Sequence, residues 1–186
     1  LEHETPIPFE ERILLQDDFL LVADKPHFLP AVPAGKYLQE TLLVRLKRET
    51  GIDTLAPMHR IDRETAGLML FTIKPETRGA YQSLFQNKQV QKQYHAIAAF
   101  HDDLVLPMTY RSCIQESEHF MRMQEVEGIE NSETHIELIE QRNGMGKYLL
   151  KPFTGKKHQL RVHMAALGLP ISNDQIYPNY IALEIE

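Results

Sequence analysis

Met58-His59-Arg60-Ile61-Asp62-Arg63-Glu64-Thr65-Ala66-Gly67-Leu68-Met69-Leu70-Phe71 is a charged cluster that runs straight into an apolar segment. Asp62 stands between Arg60 and Arg63, so cations are at hand to keep its carboxyl ionised, the state a nucleophile or general base requires. Gly67 frees the backbone at the junction, and residues 68–73 read as a buried strand that holds the preceding loop rigidly. By itself, Arg-Asp-Arg is weak evidence, and a solvated turn carrying local ion pairs is the commoner reading of it.

Upstream, an irregular arm over residues 1–11 carries Pro6 and Pro8, and residues 13–16 and 19–23 read as short strands around an Asp17-Asp18 turn. Residues 28–36 form a loop punctuated by Pro30, Pro33 and Gly35. Residues 39–50 read as an amphipathic helix with Leu42, Leu43 and Leu46 inside, Arg45, Lys47 and Arg48 on the wet side, and Gly51 as its stop. Downstream, Pro75 opens a helix to Asn87 whose buried side is marked by Ala80, Tyr81, Leu84 and Phe85. Residues 90–100 then return as a strand, which delivers Asp62 and Tyr94 from adjacent elements. Residues 101–118 are turn-rich and define no element. Residues 119–123, 134–139 and 147–152 read as further strands, with a hairpin turn at Asn143-Gly144-Met145-Gly146 between the last two. A final helix over residues 157–167 has Leu160, Met164 and Leu167 on one side and Gly168 as its stop. Strands and helices without strict alternation imply an α+β fold, a mixed, largely antiparallel sheet core with flanking helices, in one domain over residues 1–186.

The apolar fraction of 42% and charged fraction of 25% are those of a soluble globular protein. No run approaches the roughly 18 apolar residues that would span a bilayer, and the start is acidic where a signal peptide is basic. A cytoplasmic location and no membrane partner are expected. The single Cys113 makes no internal disulfide, as in a reducing compartment. The net charge of −6 hides an asymmetry: residues 114–140 hold eight Glu against one Arg, whereas residues 141–173 hold six Lys/Arg and no carboxylate. Arg142, Lys147, Lys151, Lys156, Lys157 and Arg161 are therefore expected to form one positive surface, and phosphate binding needs such a local field rather than a basic average.

His59-Arg60-Ile61-Asp62-Arg63-Glu64-Thr65-Ala66-Gly67-Leu68 resembles the signature loop of the RluA-type pseudouridine synthases, His-Arg-Leu-Asp, two variable residues, then Thr-Ser-Gly-Leu. Lys92-Gln93-Tyr94-His95-Ala96 is similar to the family's Lys-x-Tyr-x-Ala. Gly155-Lys156-Lys157-His158-Gln159-Leu160-Arg161-Val162-His163 is similar to its Gly-Arg-Thr-His-Gln-Ile-Arg-Val-His. Weaker echoes are Ala23-Asp24-Lys25-Pro26, like Asn-Lys-Pro, and Pro170-Ile171-Ser172-Asn173-Asp174, like Pro-Ile-x-Gly-Asp. Ala66 stands where the family usually has Ser, and Lys156-Lys157 replaces Arg-Thr. Asn173 replaces Gly, which is tolerable where the backbone needs a positive φ. The family normally continues for several strands beyond the element here formed by Asp174 and Tyr177. This chain ends at Glu186, with residues 181–185 able to supply one strand, so a trimmed or incomplete C-terminal end is expected.

The resemblance implies a pseudouridine synthase catalytic domain in which Asp62 is the catalytic carboxylate. It further implies that Arg161 pairs with Asp62, holding it in one rotamer and ionised at neutral pH. Tyr94 stacks on the target base and takes part in removing the C5 proton. His59, Arg60, Arg63, Lys156, Lys157 and His158 are the implied substrate-binding residues, with Arg60 reaching the flipped nucleotide's phosphate or its vacated position. Gly155-Lys156-Lys157-His158, at the start of a helix, suits a phosphate of the RNA backbone. The implied partner is ribosomal or transfer RNA, with no cofactor and no metal, and the protein is expected to be a monomer. Unstacked or loop uridines are the least costly targets. Two rivals are a noncatalytic RNA-binding module of the same fold and a metal-dependent hydrolase. Against the latter, His59 with Asp62 and His158 with His163 lack a recognisable ligand spacing.

Overall fold

Between Leu20 and Lys25 every second side chain, Leu21, Ala23 and Lys25, is fully buried, the period that a strand with one dry face imposes. A computed structural model of the chain, describing residues 4–119 and 122–178, makes this strand (β2, Leu20–Lys25) a central member of a four-stranded sheet. Its order is β1-β2-β4-β3, with β1 at Arg12–Gln16, β3 at Ala56–Pro57 and β4 at Gly67–Thr72. The chain divides after Val90 into two compact units, and this sheet belongs to the first.

The first unit's core is Leu21, Ala23, Leu29, Leu42, Leu46, Leu55, Met69 and Phe71, supplied by the sheet, helix α1 (Leu42–Thr50) and the segment joining β2 to it. That segment is part of the core, with Leu29 and Ala31 buried and the Pro30 and Ala31 carbonyls accepting from the first amides of α1 at 2.8 and 3.1 Å. Thr41 caps the helix, and Gly51 ends it in the left-handed conformation (φ 69°) that glycine adopts at least cost. Arg45 does not face solvent as the helical pattern suggested. Residues 4–11, which have no regular structure, lie over it, and its guanidinium bonds Glu11, Glu40 and the carbonyls of Ile7 and Phe9.

The helix opened by Pro75 (α2, Pro75–Gln86) forms where expected, but none of its residues is fully buried. Ala80 and Leu84 are exposed, and Phe85 instead stacks on His59 with ring centroids 5.0 Å apart. Hydrophobic spacing located the helix without fixing how deeply that face sinks.

The second unit is a five-stranded sheet of order β5-β9-β8-β6-β7: Tyr94–Ala99, Met145–Pro152, Ser132–Arg142, Met108–Glu116 and Met123–Val126. Residues 101–118, unassigned from sequence, thus contain β6, and the strand expected at 119–123 begins at Met123. β4 and β5 lie in different sheets, so the passage through α2 does not build one sheet. All described strand pairs are antiparallel, in an α+β fold with flanking helices. Asn143 and Gly144, at φ 53° and 74°, make the tight turn between β8 and β9. Helix α3 (Gln159–Ala166) buries Val162 and Met164. Residues 181–185, read as a strand, lie outside the described residues.

Gly146 sits on the inward side of β9, where an added Cβ would lie 2.7 Å from the Tyr148 ring. That ring is fully buried, its hydroxyl donating to the Ala99 carbonyl at 2.8 Å, and has no room to yield. Gly146→Ala is therefore expected to lower the unfolding free energy by about 1–3 kcal/mol. Gly79→Ala, within α2 with nothing near the new methyl, should raise it by roughly 0.5–1 kcal/mol. Urea titration of both variants tests the contrast.

Candidate active site

Asp62 lies half-buried in the loop between β3 and β4, its carbonyl accepting from the Thr65 amide at 3.1 Å. The loop has no helix or strand of its own and is fastened from several sides. His59 Nε2 accepts from the Leu70 amide at 3.2 Å while its ring stacks on Phe85. Arg63 donates to Glu64 (3.2 Å) and to the Tyr37 hydroxyl (2.9 Å), and its carbonyl accepts from the Phe28 amide at 2.7 Å. His59 and Arg63, read from sequence as substrate contacts, are thus both engaged in holding the loop. Arg60 is exposed.

Beneath the loop lies Lys25, a residue that sequence reasoning did not place at the site. Its side chain is fully buried, and Nζ donates to the carbonyls of Pro26 (3.0 Å), Leu29 (2.7 Å) and Arg63 (3.1 Å). Burial pulls its pKa down to about 8, against the attraction of Glu64 and Asp62, so the ammonium is charged at neutral pH and adds positive potential near Asp62. The signal was available in Asp24-Lys25-Pro26, where a lysine sits on the apolar side of an alternating strand.

In the second unit Tyr94 opens β5, half-buried against the core of that unit. Arg161 is not on a polar helix face: it is buried, with Nε and Nη2 bonding the two Asp174 oxygens at 2.7 and 2.8 Å. Burial pushes the Asp174 carboxyl up, but Arg161 and the Ile176 and Tyr177 amides outweigh it and hold the pKa below the ordinary value. The Arg161 guanidinium also lies over the Tyr177 ring, 5.2 Å from its centroid. Tyr177 in turn hydrogen-bonds His158 Nδ1 at 2.9 Å and accepts from the Met123 amide at 2.8 Å. Asn173, at φ 64°, does adopt the positive φ that its place before Asp174 requires.

Lys156 and Lys157 are exposed, but α3 starts later than expected because His158 takes the left-handed conformation, φ 54°. The Lys156 amide donates to the buried Gln159 side chain at 3.1 Å, and Gln159 donates onward to the Glu133 carbonyl and Thr134 hydroxyl, each at 2.9 Å. The six basic residues of 141–173 do not make one positive surface. Arg161 is buried, Lys151 pairs with Glu137 at 2.7 Å, and Lys147 stands opposite Glu140 in the β8–β9 register. His163 is fully buried among hydroxyls, Ser112 and Ser132 at Nε2 and Thr134 at Nδ1, with distances of 2.9–3.1 Å.

A family model described as RNA pseudouridylate synthase matches residues 19–166. The mitochondrial tRNA pseudouridine(32) synthase of Saccharomyces cerevisiae is 29% identical over 182 residues, covering 95% of this chain and 39% of the yeast protein. The dual-specificity RNA pseudouridine synthase RluA of Haemophilus influenzae is 30% identical over 184 residues, 95% of this chain and 81% of that protein. The solved structure of human RNA Pseudouridylate Synthase Domain Containing 1 superposes with a TM-score of 0.75 at 25% identity, covering 92% of this chain and 71% of the other. The chain spans 39% of the yeast relative and 32% of the human pseudouridylate synthase RPUSD2.

Lys25→Met removes the donor of three carbonyls, and buried acceptors left without a donor cost about 1–3 kcal/mol each. The variant should lose at least roughly 2 kcal/mol of stability, with amide exchange of Phe28 and residues 59–66 accelerated ahead of the rest; unchanged exchange there would contradict the clamp. Burial lowers the His163 pKa from 6.5 to about 4. The unfolded chain takes up this proton below pH 6.5 while the folded one does not, so stability falls as pH drops from 6.5 towards 4. The loss attributable to His163 is about 3 kcal/mol, and urea titrations at stepped pH should show it flattened in His163→Gln.

Proposed function

The chain belongs to the RNA pseudouridylate synthase family, and from that premise we propose that it isomerises uridines in ribosomal or transfer RNA to pseudouridine, with Asp62 as the catalytic carboxylate. The observation that supports this reading is that Asp62 lies in an irregular loop that Lys25, His59 and Arg63 tie to surrounding elements, the rigidity a positioned nucleophile needs. In the proposed reaction the N1–C1′ bond breaks, the base turns, and a C5–C1′ bond forms. N1 gains a proton and C5 loses one, so atoms and charge balance with no external reagent.

Arg161 has the role of pairing with Asp62. Asp174 grips the Nε and Nη2 edge of the guanidinium and so fixes the plane of the whole group, which is how a guanidinium is aimed. Tyr94 stacks on the turning base and takes part in removal of the C5 proton. Arg60, Lys156 and Lys157, all exposed, contact phosphates, and His158, next to Lys157 in the chain, is held by Tyr177. In this reading the two units form one catalytic domain that acts as a monomer. The compartment is cytoplasmic or another reducing one, consistent with the lone Cys113, and the yeast relative is named as mitochondrial.

Tritium release from C5-labelled uridine in unmodified ribosomal and transfer RNA tests the reading. Wild type should release tritium, and Asp62→Asn should bind RNA with similar affinity yet release none. Binding without release by wild type would leave a noncatalytic RNA-binding module instead.

A further inference from the structure

Beside the Asp62 loop, the first unit carries a cleft of about 440 Å³ whose walls include Phe9, Glu10, Asp24, Phe28 and Ala66. Its two aromatic rings are far from buried, Phe9 at 44% and Phe28 at 41% exposure, and they meet at a tilt of 43° with centroids 6.1 Å apart. The next residue, Leu29, is fully buried, so the chain turns Leu29 inward and Phe28 outward, where its ring also meets that of His27 with centroids 6.0 Å apart.

Phe28 is held outward in a conformation that a bulky residue rarely adopts, with φ at 66°. Contacts on every side impose it. The Phe28 amide donates to the Arg63 carbonyl, Lys25 grips the Pro26 and Leu29 carbonyls that flank it, and His27 Nδ1 donates to the Glu64 carbonyl at 2.6 Å. The facing wall is equally fixed, since Arg45 donates to the Phe9 carbonyl at 2.7 Å and the Ile7 carbonyl at 2.6 Å. Both rings are thus presented to solvent before a ligand arrives, and Ala66 ties the cleft to the loop that carries Asp62.

The polar lining narrows the ligand. Glu10 and the Asp24 carboxylate, the latter bonded to Arg12 at 2.9 Å, supply acceptors at the rim, whereas Lys25 and His27, which also line the cleft, spend donors on carbonyls within the protein. A flat π-system with N–H donors on its edge meets both demands, whereas a phosphate or a carboxylate meets neither. We propose that this cleft is a stacking platform for one unpaired, amino-bearing base (adenine, cytosine or guanine) of the RNA, close in the strand to the uridine presented to Asp62. The base enters edge first, with its exocyclic amino group donating to Glu10 or Asp24, and its sugar-phosphate stays outside. This rests on the proposed function for the identity of the polymer, and the test separates the two.

A single-stranded RNA oligonucleotide bearing one 2-aminopurine among uridines is the probe, since its fluorescence falls when the base stacks. Wild type and Phe28→Tyr should quench it. Phe28→Leu and Phe9→Leu should abolish the quenching and weaken binding about 5- to 100-fold. Phe9 lies in a segment without regular structure, so the second variant keeps the test decisive should the first unfold. Failure of wild type to quench, or quenching and affinity unchanged in both leucine variants, overturns the platform. Tritium release measured on the same wild-type protein reports the reaction independently: quenching that is lost in the variants, without release by wild type, supports the platform and removes the catalytic reading.

Discussion

A buried ammonium has no water to donate to, so each of its N–H bonds must end on the protein. Lys25 ends them on Pro26, Leu29 and Arg63, and one side chain at the end of β2 thereby sets backbone positions in two separate loops. Further contacts of the same loops add to that arrangement. The Arg63 carbonyl also receives Phe28, the Arg63 side chain reaches Tyr37, and His59 joins the loop to β4 and α2. Desolvation opposes the charge, and the fields of Glu64 and Asp62 favour it. The Lys25 ammonium thereby places a fixed positive charge beneath the loop that its three hydrogen bonds also hold in place. Geometry and electrostatics of the loop therefore hang on the same group.

The second unit solves a similar problem with different chemistry. A guanidinium cannot lose its proton, so burying Arg161 obliges the fold to surround it with matching acceptors and an aromatic face. Asp174 and Tyr177 supply these, and backbone amides of the same turn hold Asp174 in place. The turn depends on Asn173 accepting a positive φ. On the other side of α3, Gln159 and His163 bind the helix to β8 through Thr134. The helix is buried nearly all round, which explains why a simple apolar stripe described it poorly.

The elements with clean periodicity and chemical punctuation were legible from sequence: the β1–β2 hairpin, α1 with its Gly51 stop, β4, α2 and the Asn143-Gly144 turn. So was the family, because its motifs stand here in order and the family model matches residues 19–166. Partner identity was hidden. Arg161 shows only as a cation in a helix, and its grip by Asp174 needs a turn that local pattern does not reveal. Lys25 resembles any strand lysine until its face is known to be dry. The expected positive surface failed for the same reason, since a run of charges in sequence says nothing of the carboxylates that neighbouring strands place opposite them.

That failure bears on how an acidic chain is to hold a polyanion. With Lys151 paired, Arg161 internal and Lys147 facing Glu140, the basic residues of 141–173 provide few charges for phosphate, chiefly Lys156 and Lys157 beside the turn into α3. Electrostatic attraction scales with the number of phosphates neutralised, so this segment lends the proposed RNA partner little long-range pull. Affinity on such a surface has to come from short-range terms, meaning bases lifted from the stack and laid on aromatic faces, with a few cations fixing the backbone. Under the proposed function, nucleotides already unstacked would be favoured over those held in a duplex, since they reach an aromatic face at least cost.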